Sequence, residues 1–225
     1  SQLAEGNKWA FFPSAALGWR LDQEEFLKDV TWLNQLKFRL GVGVTGNSAI
    51  DPYQTKGAIV SLYYPFGSAL APGYAASEPL IKDGAVAMAN KNLSWEKTTQ
   101  YNIGLDYSVL NGRISGVLDF YTSRTTDLLM AMTIPSLNGY TNTYANVGKT
   151  SNIGVDITLN TVNVKTRDFE WSTSINAAWQ KDKIDELANG KEDDINNNWF
   201  IGQALGVIYG YECGGLWKEE DAAEM

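Results

Sequence analysis

The sequence of 225 residues contains no histidine and only one cysteine, Cys213. Without histidine the chain has no Ser-His-Asp triad, no imidazole metal ligand and no imidazole proton shuttle. A single cysteine cannot form a disulfide within the chain, which excludes a small secreted protein held together by disulfides. The sequence also lacks any apolar run near the roughly 20 residues that a transmembrane helix requires.

Positive charge is scarce, because 18 Lys and Arg face 26 Asp and Glu, for a formal net charge of -8. An acidic surface repels phosphate backbones, so we expect no nucleic-acid partner. Aromatic residues are plentiful at 12%, with 8 Trp and 11 Tyr. The length suits one large all-β domain or two small ones.

Apolar and polar residues alternate on both sides of Asn111-Gly112 in "TTQYNIGLDYSVLNGRISGVLDFYTS", residues 98–123. Alternation around Asn-Gly is the strongest short-range signal for a β-hairpin with a two-residue turn. The predicted register pairs Val109 with Ile114, Leu105 with Leu118, Ile103 with Phe120, Tyr101 with Thr122, Asp106 with Val117, Gly104 with Asp119, and Asn102 with Tyr121. Apolar residues then face apolar ones in nearly every pair, so the register is self-consistent.

The same alternation predicts further strands at residues 8–21, 35–46, 153–159 and 169–180. Between the first two, "DQEEFLKDVTWLNQ" begins with Asp22 as an N-cap ahead of acidic residues, which predicts a short helix or helical turn.

Strand length and loop placement distinguish a soluble sandwich from a membrane barrel. Several alternations reach or exceed the about 9–11 residues of a tilted membrane-spanning strand. Long connections at 47–92, 131–146 and 186–198 fall on one side, whereas those near 111–112 and 161–168 are short. Outer-membrane barrels have this asymmetry, with the longer loops extracellular. The predicted fold class is all-β, an antiparallel up-and-down transmembrane β-barrel segment whose apolar face meets lipid.

Two groups of residues are candidates for function in such a barrel. The polar strand faces predict a lumen lining of Asp106, Asp119, Tyr121, Asp156, Asn176 and Gln180. Aromatic faces stack on sugars or peptides and pack at interfaces, although a membrane-boundary girdle would explain some of them equally well. The predicted ligand- or partner-binding residues are Tyr63, Tyr64, Tyr74, Tyr140, Tyr144, Trp199, Tyr209, Tyr211 and Trp217.

Three motifs suggest cofactor, metal or catalytic chemistry, and each lacks its context. "GVGVTG" at 41–46 matches a dinucleotide-binding pattern, but "NSAIDPYQTKG" follows it instead of a helix. Asp194 begins a calcium-like alternation, but Trp199 replaces the required Gly and Leu205 the closing Glu. We expect a solvated acidic loop there, with incidental calcium binding left open. A pair among Asp106, Asp119 and Asp156 could serve a glycosidase, but a polar lumen is the simpler explanation.

Several phrases resemble the SusC/RagA family of TonB-linked outer-membrane transporters. They are "WAFFPSAALGWRL", "WLNQLKFRLGVGVTGN", "NLSWEKTTQYNIGLDYSVLNGRISGVLDFYTSRTTDLL", "YANVGKTSNIGVDITLN" and "FIGQALGVIYGYECGGLW". The resemblance covers most of the chain and is specific in the third and fourth phrases. It implies the C-terminal part of a 22-stranded barrel that imports glycans or oligopeptides, together with a SusD-like surface lipoprotein and the TonB complex.

The resemblance also sets what we expect to be missing and what competes with transport. Residues 1–225 would form a partial barrel domain without the plug domain, TonB box and final strands, and no cofactor is expected. The alternative is a soluble β-rich carbohydrate-binding module, and a glycosidase is the least favoured function. Solubility in plain buffer would separate the module from the barrel segment.

Overall fold

The computed structural model describes residues 3, 5–50, 55, 60–75, 81–82, 85–135, 137 and 142–212. In chain order the strands are β1 (Ser14–Arg20), β2 (Leu33–Asn47), β3 (Val60–Phe66), β4 (Ala69–Ala75), β5 (Ile81–Lys82), β6 (Ala85–Met88), β7 (Glu96–Val109), β8 (Ile114–Thr126), β9 (Leu129–Thr133), β10 (Asn142–Asn146), β11 (Lys149–Lys165) and β12 (Glu170–Glu186). In this part of the chain, no helix is long and apolar enough to cross a membrane.

The main body is a six-stranded antiparallel sheet in the order β1-β2-β7-β8-β11-β12. This is a meander, since each strand of the sheet pairs with the strand of the same sheet that comes before it along the chain. Five of its strands have 13 to 17 residues, against the about 9–11 needed to cross the hydrocarbon at a tilt. The sheet does not close on itself, and β1 and β12 form its edges.

The hairpin register predicted around Asn111-Gly112 is confirmed in all seven pairs. The amide of Arg113 donates to the carbonyl of Leu110 at 3.2 Å. Leu110, Asn111 and Gly112 have φ angles of 55°, 56° and 78°. A type I′ turn requires positive φ at both central residues, and Asn-Gly meets that requirement. The faces of β7 and β8 are therefore those expected from the alternation.

One face of the six-stranded sheet is apolar along its whole width. Two neighbouring rows across it are Trp19, Phe38, Leu105, Leu118, Ile157 and Ala177, then Leu17, Leu40, Ile103, Phe120, Val155 and Trp179. Ile103 is 47% exposed and Trp179 57% exposed. A sandwich would bury such rows against a second sheet, so this face is not the interior of one in the described part of the chain.

The connections fall into two groups at opposite ends of this sheet. Residues 110–113 and 166–169 form tight turns at one end, with residues 21–32 beside them; we call it the turn end. The β2–β7 and β8–β11 connections, and the segment after β12, all leave the other end, which we call the loop end. The direction of successive strands therefore places the three long segments together.

The long connections contain short strands that the sequence analysis did not predict. β3 and β4 form a two-stranded sheet of their own, and β5, β6, β10 and β9 form a four-stranded sheet. Within the latter, β6 and β10 run parallel, with Asn142 beside Ala87. Strands of two to seven residues are too short to show a sustained period in the sequence.

The short helix or helical turn predicted from Asp22 is confirmed as a 3-10 turn followed by further turns, but the N-cap role of Asp22 is wrong. Asp22 lies inside a 3-10 turn at Leu21–Gln23, and β2 begins already at Leu33. Its carboxylate accepts hydrogen bonds from the Arg20 guanidinium and from the backbone amide of Leu36, the latter at 3.1 Å. The Arg20 guanidinium holds the pKa of Asp22 well below its usual range. This carboxylate joins β1 to β2 instead of capping a helix.

Candidate functional site

The face opposite the apolar rows is polar and carries every residue predicted to line a lumen. The strand register places Asp106, Asp119, Tyr121, Asp156, Asn176 and Gln180 on it together. One row across this polar face consists of Gly18, Arg39, Gly104, Asp119, Asp156 and Ala178.

Arg39 is the centre of this face, and the sequence analysis had not singled it out. Its guanidinium lies 2.8 Å from a carboxylate oxygen of Asp106 and 3.0 Å from one of Asp119. The amide of Asn102 donates to the same Asp119 oxygen at 3.2 Å. The three charged side chains are only 22–28% exposed. One cation on β2 thus ties together carboxylates on β7 and β8; we call Arg39, Asp106 and Asp119 the wall triad.

Gly104 makes the wall triad sterically possible. It lies in register between Arg39 and Asp119. A Cβ at this position would come within 2.5 Å of an Asp119 oxygen and 2.6 Å of the Arg39 guanidinium carbon. The pairing of a glycine between residues of opposite charge was the sequence signal for this cluster, but it appears only once β2 is aligned with β7.

Asp156 adds negative charge beside the wall triad. It stands directly opposite Asp119 on β11, and like charges in that position repel each other. Within the described residues it has no ion pair within 4.0 Å. Lys37 lies opposite Asp106 on the same face, so three carboxylates, one guanidinium and one ammonium group leave a local charge of minus one there.

The other predicted wall residues lie over glycine or pair across strands. The ring of Tyr121 covers Gly154, where a Cβ would lie 2.4 Å from the phenol. The Tyr121 hydroxyl donates to Gln180 at 3.4 Å. Thr158 donates to Asn176 at 3.0 Å. These side chains lie across the sheet instead of projecting from it. The polar face is therefore shallow and rich in hydrogen-bonding groups.

A cleft of about 900 Å³ opens at the loop end between β9 and residues 187–199. Its lining combines Met130 and Met132 with Trp199, which is half-buried, and with the carboxylates of Glu192 and Asp194. Ligand sites are typically clefts of about 300–1,000 Å³ with apolar walls and a few polar groups. The volume lies within that range, and the lining combines apolar with acidic side chains.

The predicted aromatic residues of the loops have different surroundings. Trp199 lines the cleft, Tyr209 packs against Phe200 at 5.0 Å, and Tyr211 is 99% exposed. Tyr144 instead packs against a buried cluster, so its ring is not freely available. Tyr63, Tyr64 and Tyr74 lie in β3 and β4, whose side chains are not among those described. Tyr140 and Trp217 lie outside the described residues.

The buried cluster forms the base of the long connections. Leu93 is fully buried with Leu3 and Ile50, and Trp95 and Leu129 pack against them. Asn146 strengthens this base, because its side chain accepts from the Ser94 amide at 2.8 Å and donates to two backbone carbonyls. The β2–β7 and β8–β11 connections are thereby joined where they leave the sheet.

The calcium-like alternation at Asp194 has a different role in the structure. Its carboxylate accepts from the amide of Asn197 at 3.2 Å and from its side chain at 2.7 Å. The neighbouring Asp193 accepts from the Ile201 amide at 2.7 Å. Among the residues the structure describes, no three acidic or cysteine side chains are grouped to hold a metal ion.

Comparison with known proteins agrees with this geometry. The family model for "TonB dependent receptor-like, beta-barrel" matches residues 2–215. The TonB-dependent receptor SusC of Bacteroides thetaiotaomicron is 39% identical over 204 residues, which are 86% of this chain and 19% of that protein. TonB-dependent receptor P3 of Formosa agariphila is 33% identical over 229 residues, covering 97% of this chain and 22% of the relative.

A solved structure gives the same result in three dimensions. The RagAB peptide importer in the "open-open" state superimposes with a TM-score of 0.77 at 29% identity, over 90% of this chain and 21% of that one. The chain spans about a fifth of the length of these relatives. It belongs to the TonB-dependent receptor family, resembles the SusC and RagA members, and forms part of the wall of an outer-membrane β-barrel.

Proposed function

We propose that the parent receptor imports bulky nutrients, glycans or oligopeptides, across the outer membrane together with a SusD-like surface lipoprotein. The observation that carries the proposal is the polar wall, which ends at one side in three long segments, two of which are tied at a common base. Long loops on one end and tight turns on the other are the pattern of outer-membrane barrels with an extracellular capture side. The loop end is then extracellular.

In this proposal the chain supplies one sector of the barrel wall, and other parts of the receptor couple transport to energy. The edges β1 and β12 would pair with further strands of the receptor, because lipid cannot satisfy unpaired backbone groups. The plug and the TonB contact would come from other parts of the receptor. The wall triad and Asp156 would border the path along which the substrate moves.

The cleft at the loop end is the proposed capture site. Trp199 offers an aromatic face to a sugar ring or a peptide side chain. The two methionines provide an adaptable apolar surface, and Glu192 supplies negative charge. Tyr209, Tyr211 and the tyrosines of β3 and β4 are proposed to contact the ligand or the lipoprotein.

A soluble carbohydrate-binding module or an enzyme fits the geometry less well. An uncovered apolar face of six long strands would aggregate in water. Asp106 and Asp119 share one guanidinium, so neither is set apart as a proton donor as glycosidases require. We propose that the chain has no catalytic role.

Deletion of the β3–β4 hairpin tests the capture role of the loop end. Replacing residues 60–75 by a short Gly-Ser linker removes a sheet that pairs with no other strand in the described part of the chain, and it keeps Ile50 and Leu93. In the intact receptor we expect weaker co-purification of the lipoprotein or slower nutrient uptake, with normal insertion. A Gly-Ser insertion between Asn111 and Gly112, at the turn end, is the control and should leave both unchanged. Unaltered co-purification and uptake in the deletion variant would show that this hairpin takes no part in capture.

A further inference from the structure

Four basic residues are grouped on the lipid-facing side of the sheet, in three successive cross-strand rows on the loop-end side of its two apolar rows. The register places Lys97, Arg124, Lys181 and Lys183 on the same face as Phe120 and Trp179. All four are exposed. Arg124 lies two positions past Thr122 on β8, whose row also contains Tyr101 and Ile153. We call these four residues the basic row.

Most of this positive charge is not neutralised within the described residues. Lys183 pairs with Asp185 at 3.1 Å, and the neighbouring Lys149 pairs with Glu186 at 2.5 Å. Lys97, Arg124 and Lys181 have no ion pair within 4.0 Å among the residues described. The Asp127 carboxylate accepts from Thr126, which lies between Lys97 and Lys149. Five cations and three carboxylates then leave a charge of about plus two on this part of a chain whose formal net charge is -8.

The opposite rim of the same face carries no such charge. At the turn end the outward positions of the described strands are aliphatic, aromatic or small polar residues, including Trp19, Tyr107, Val109, Ile114 and Trp171. The charge difference between the two rims is a property of the lipid-facing side.

A hydroxyl between two of the cations is left without a partner. Ser151 lies in register between Arg124 and Lys183. Its Oγ is shielded from solvent and makes no hydrogen bond within the described residues. With strands about 4.8 Å apart, Arg124 and Lys183 stand about 10 Å apart across Ser151. Two long basic side chains at this spacing can reach one anionic group from both sides.

We propose that the basic row binds the phosphate groups of a phosphorylated glycolipid in the outer leaflet. Clusters of Lys and Arg beside a membrane-embedded surface attract anionic lipid headgroups. The row lies at the height where headgroups begin, because the apolar rows end directly below it. Arg124 would hold phosphate oxygens through two N–H groups, and Lys181 and Lys97 would add charge on either side.

The test uses the detergent-purified intact receptor and lipid A as the probe, with binding measured by native mass spectrometry. We expect Arg124→Ala combined with Lys181→Ala to weaken lipid A binding by about tenfold, from the loss of two cations at the headgroup. The control removes one Lys and one Arg at the turn end, Lys165→Ala with Arg167→Ala, and should bind lipid A like the wild type. The gel mobility of the folded barrel shows whether each variant is intact.

Two further lipids show which chemical group of lipid A the receptor recognises. Dephosphorylated lipid A should bind the wild type as weakly as the double variant binds lipid A, and phosphatidylglycerol should also bind more weakly than lipid A. The proposal is overturned if the Arg124 and Lys181 variant binds lipid A like the control. It is equally overturned if removal of the phosphates makes no difference, or if phosphatidylglycerol binds as tightly as lipid A. Because lipid binding is measured without transport, these outcomes do not depend on the proposed import function.

Discussion

Replacement of Arg39 by methionine is expected to lower the free energy of unfolding of the intact barrel by about 2–3 kcal/mol. Removing one partner of a buried ion pair costs about 3–5 kcal/mol, and the partial exposure of the wall triad reduces that figure. Asp106, Asp119 and Asp156 would then repel each other on neighbouring strands without a cation between them. Denaturant titration of the folded receptor in detergent measures the change.

Two variants separate this effect from a simple loss of charge. Lys37→Met removes a cation from the same face of β2, two positions away, and should cost less than about 1 kcal/mol, as surface charges do. Arg39→Met combined with Asp119→Asn should recover part of the lost stability, because one of the repelling carboxylates is gone. If Lys37→Met and Arg39→Met are equally mild, the wall triad does not hold β2, β7 and β8 together.

Replacement of Leu93 by alanine is expected to loosen the base of the long connections. Leu93 is fully buried, and truncating such a side chain costs about 2–5 kcal/mol. The cost should appear as local opening, with hydrogen exchange accelerated by at least about tenfold at residues 89–95 and 142–147. The six-stranded sheet should keep its protection, since Leu93 lies outside it.

Leu205→Ala is the matched control, because that leucine is 51% exposed on the segment after β12. It should leave exchange at the loop base unchanged. If Leu93→Ala also leaves exchange there unchanged, the buried cluster does not couple the two connections. If it instead unfolds the whole sheet, the base and the barrel wall are one cooperative unit.

The long strands were predictable because their information is local. Alternation fixes the two faces, and Asn111-Gly112 fixes the register between β7 and β8, so pairs such as Gly104 with Asp119 could be named in advance. The partner of Asp119 on the far side of Gly104 could not. Arg39 lies 80 positions away, and no turn signal sets the register of β2 against β7, because a long connection separates them.

At the loop end, even fewer contacts could be predicted from the sequence. Tyr144, a predicted ligand- or partner-binding residue, packs against the cluster that contains Leu93 and Ile50, which belong to a different connection, and nothing in the sequence indicated this contact. The parallel pairing of β6 with β10 likewise joins segments that a whole hairpin separates. Contacts of this kind depend on which loops meet at the loop end of the sheet. The pattern of apolar residues in a short segment does not encode this. Asp22 failed as an N-cap for a related reason, since its partner amide belongs to Leu36 on the next strand.

The central claim is that the apolar face of the sheet meets lipid and the polar face lines the lumen. Spin labels at neighbouring positions of β11 and β8 test it directly in the reconstituted receptor, after replacement of Cys213. Labels at Ile157 and Phe120 should be relaxed mainly by oxygen, which concentrates in lipid, and labels at Asp156 and Asp119 mainly by a water-soluble nickel chelate. Alternation of this kind along both strands is the predicted result. Equal access of the nickel chelate to both faces, or the opposite alternation, would contradict the assignment of the two faces.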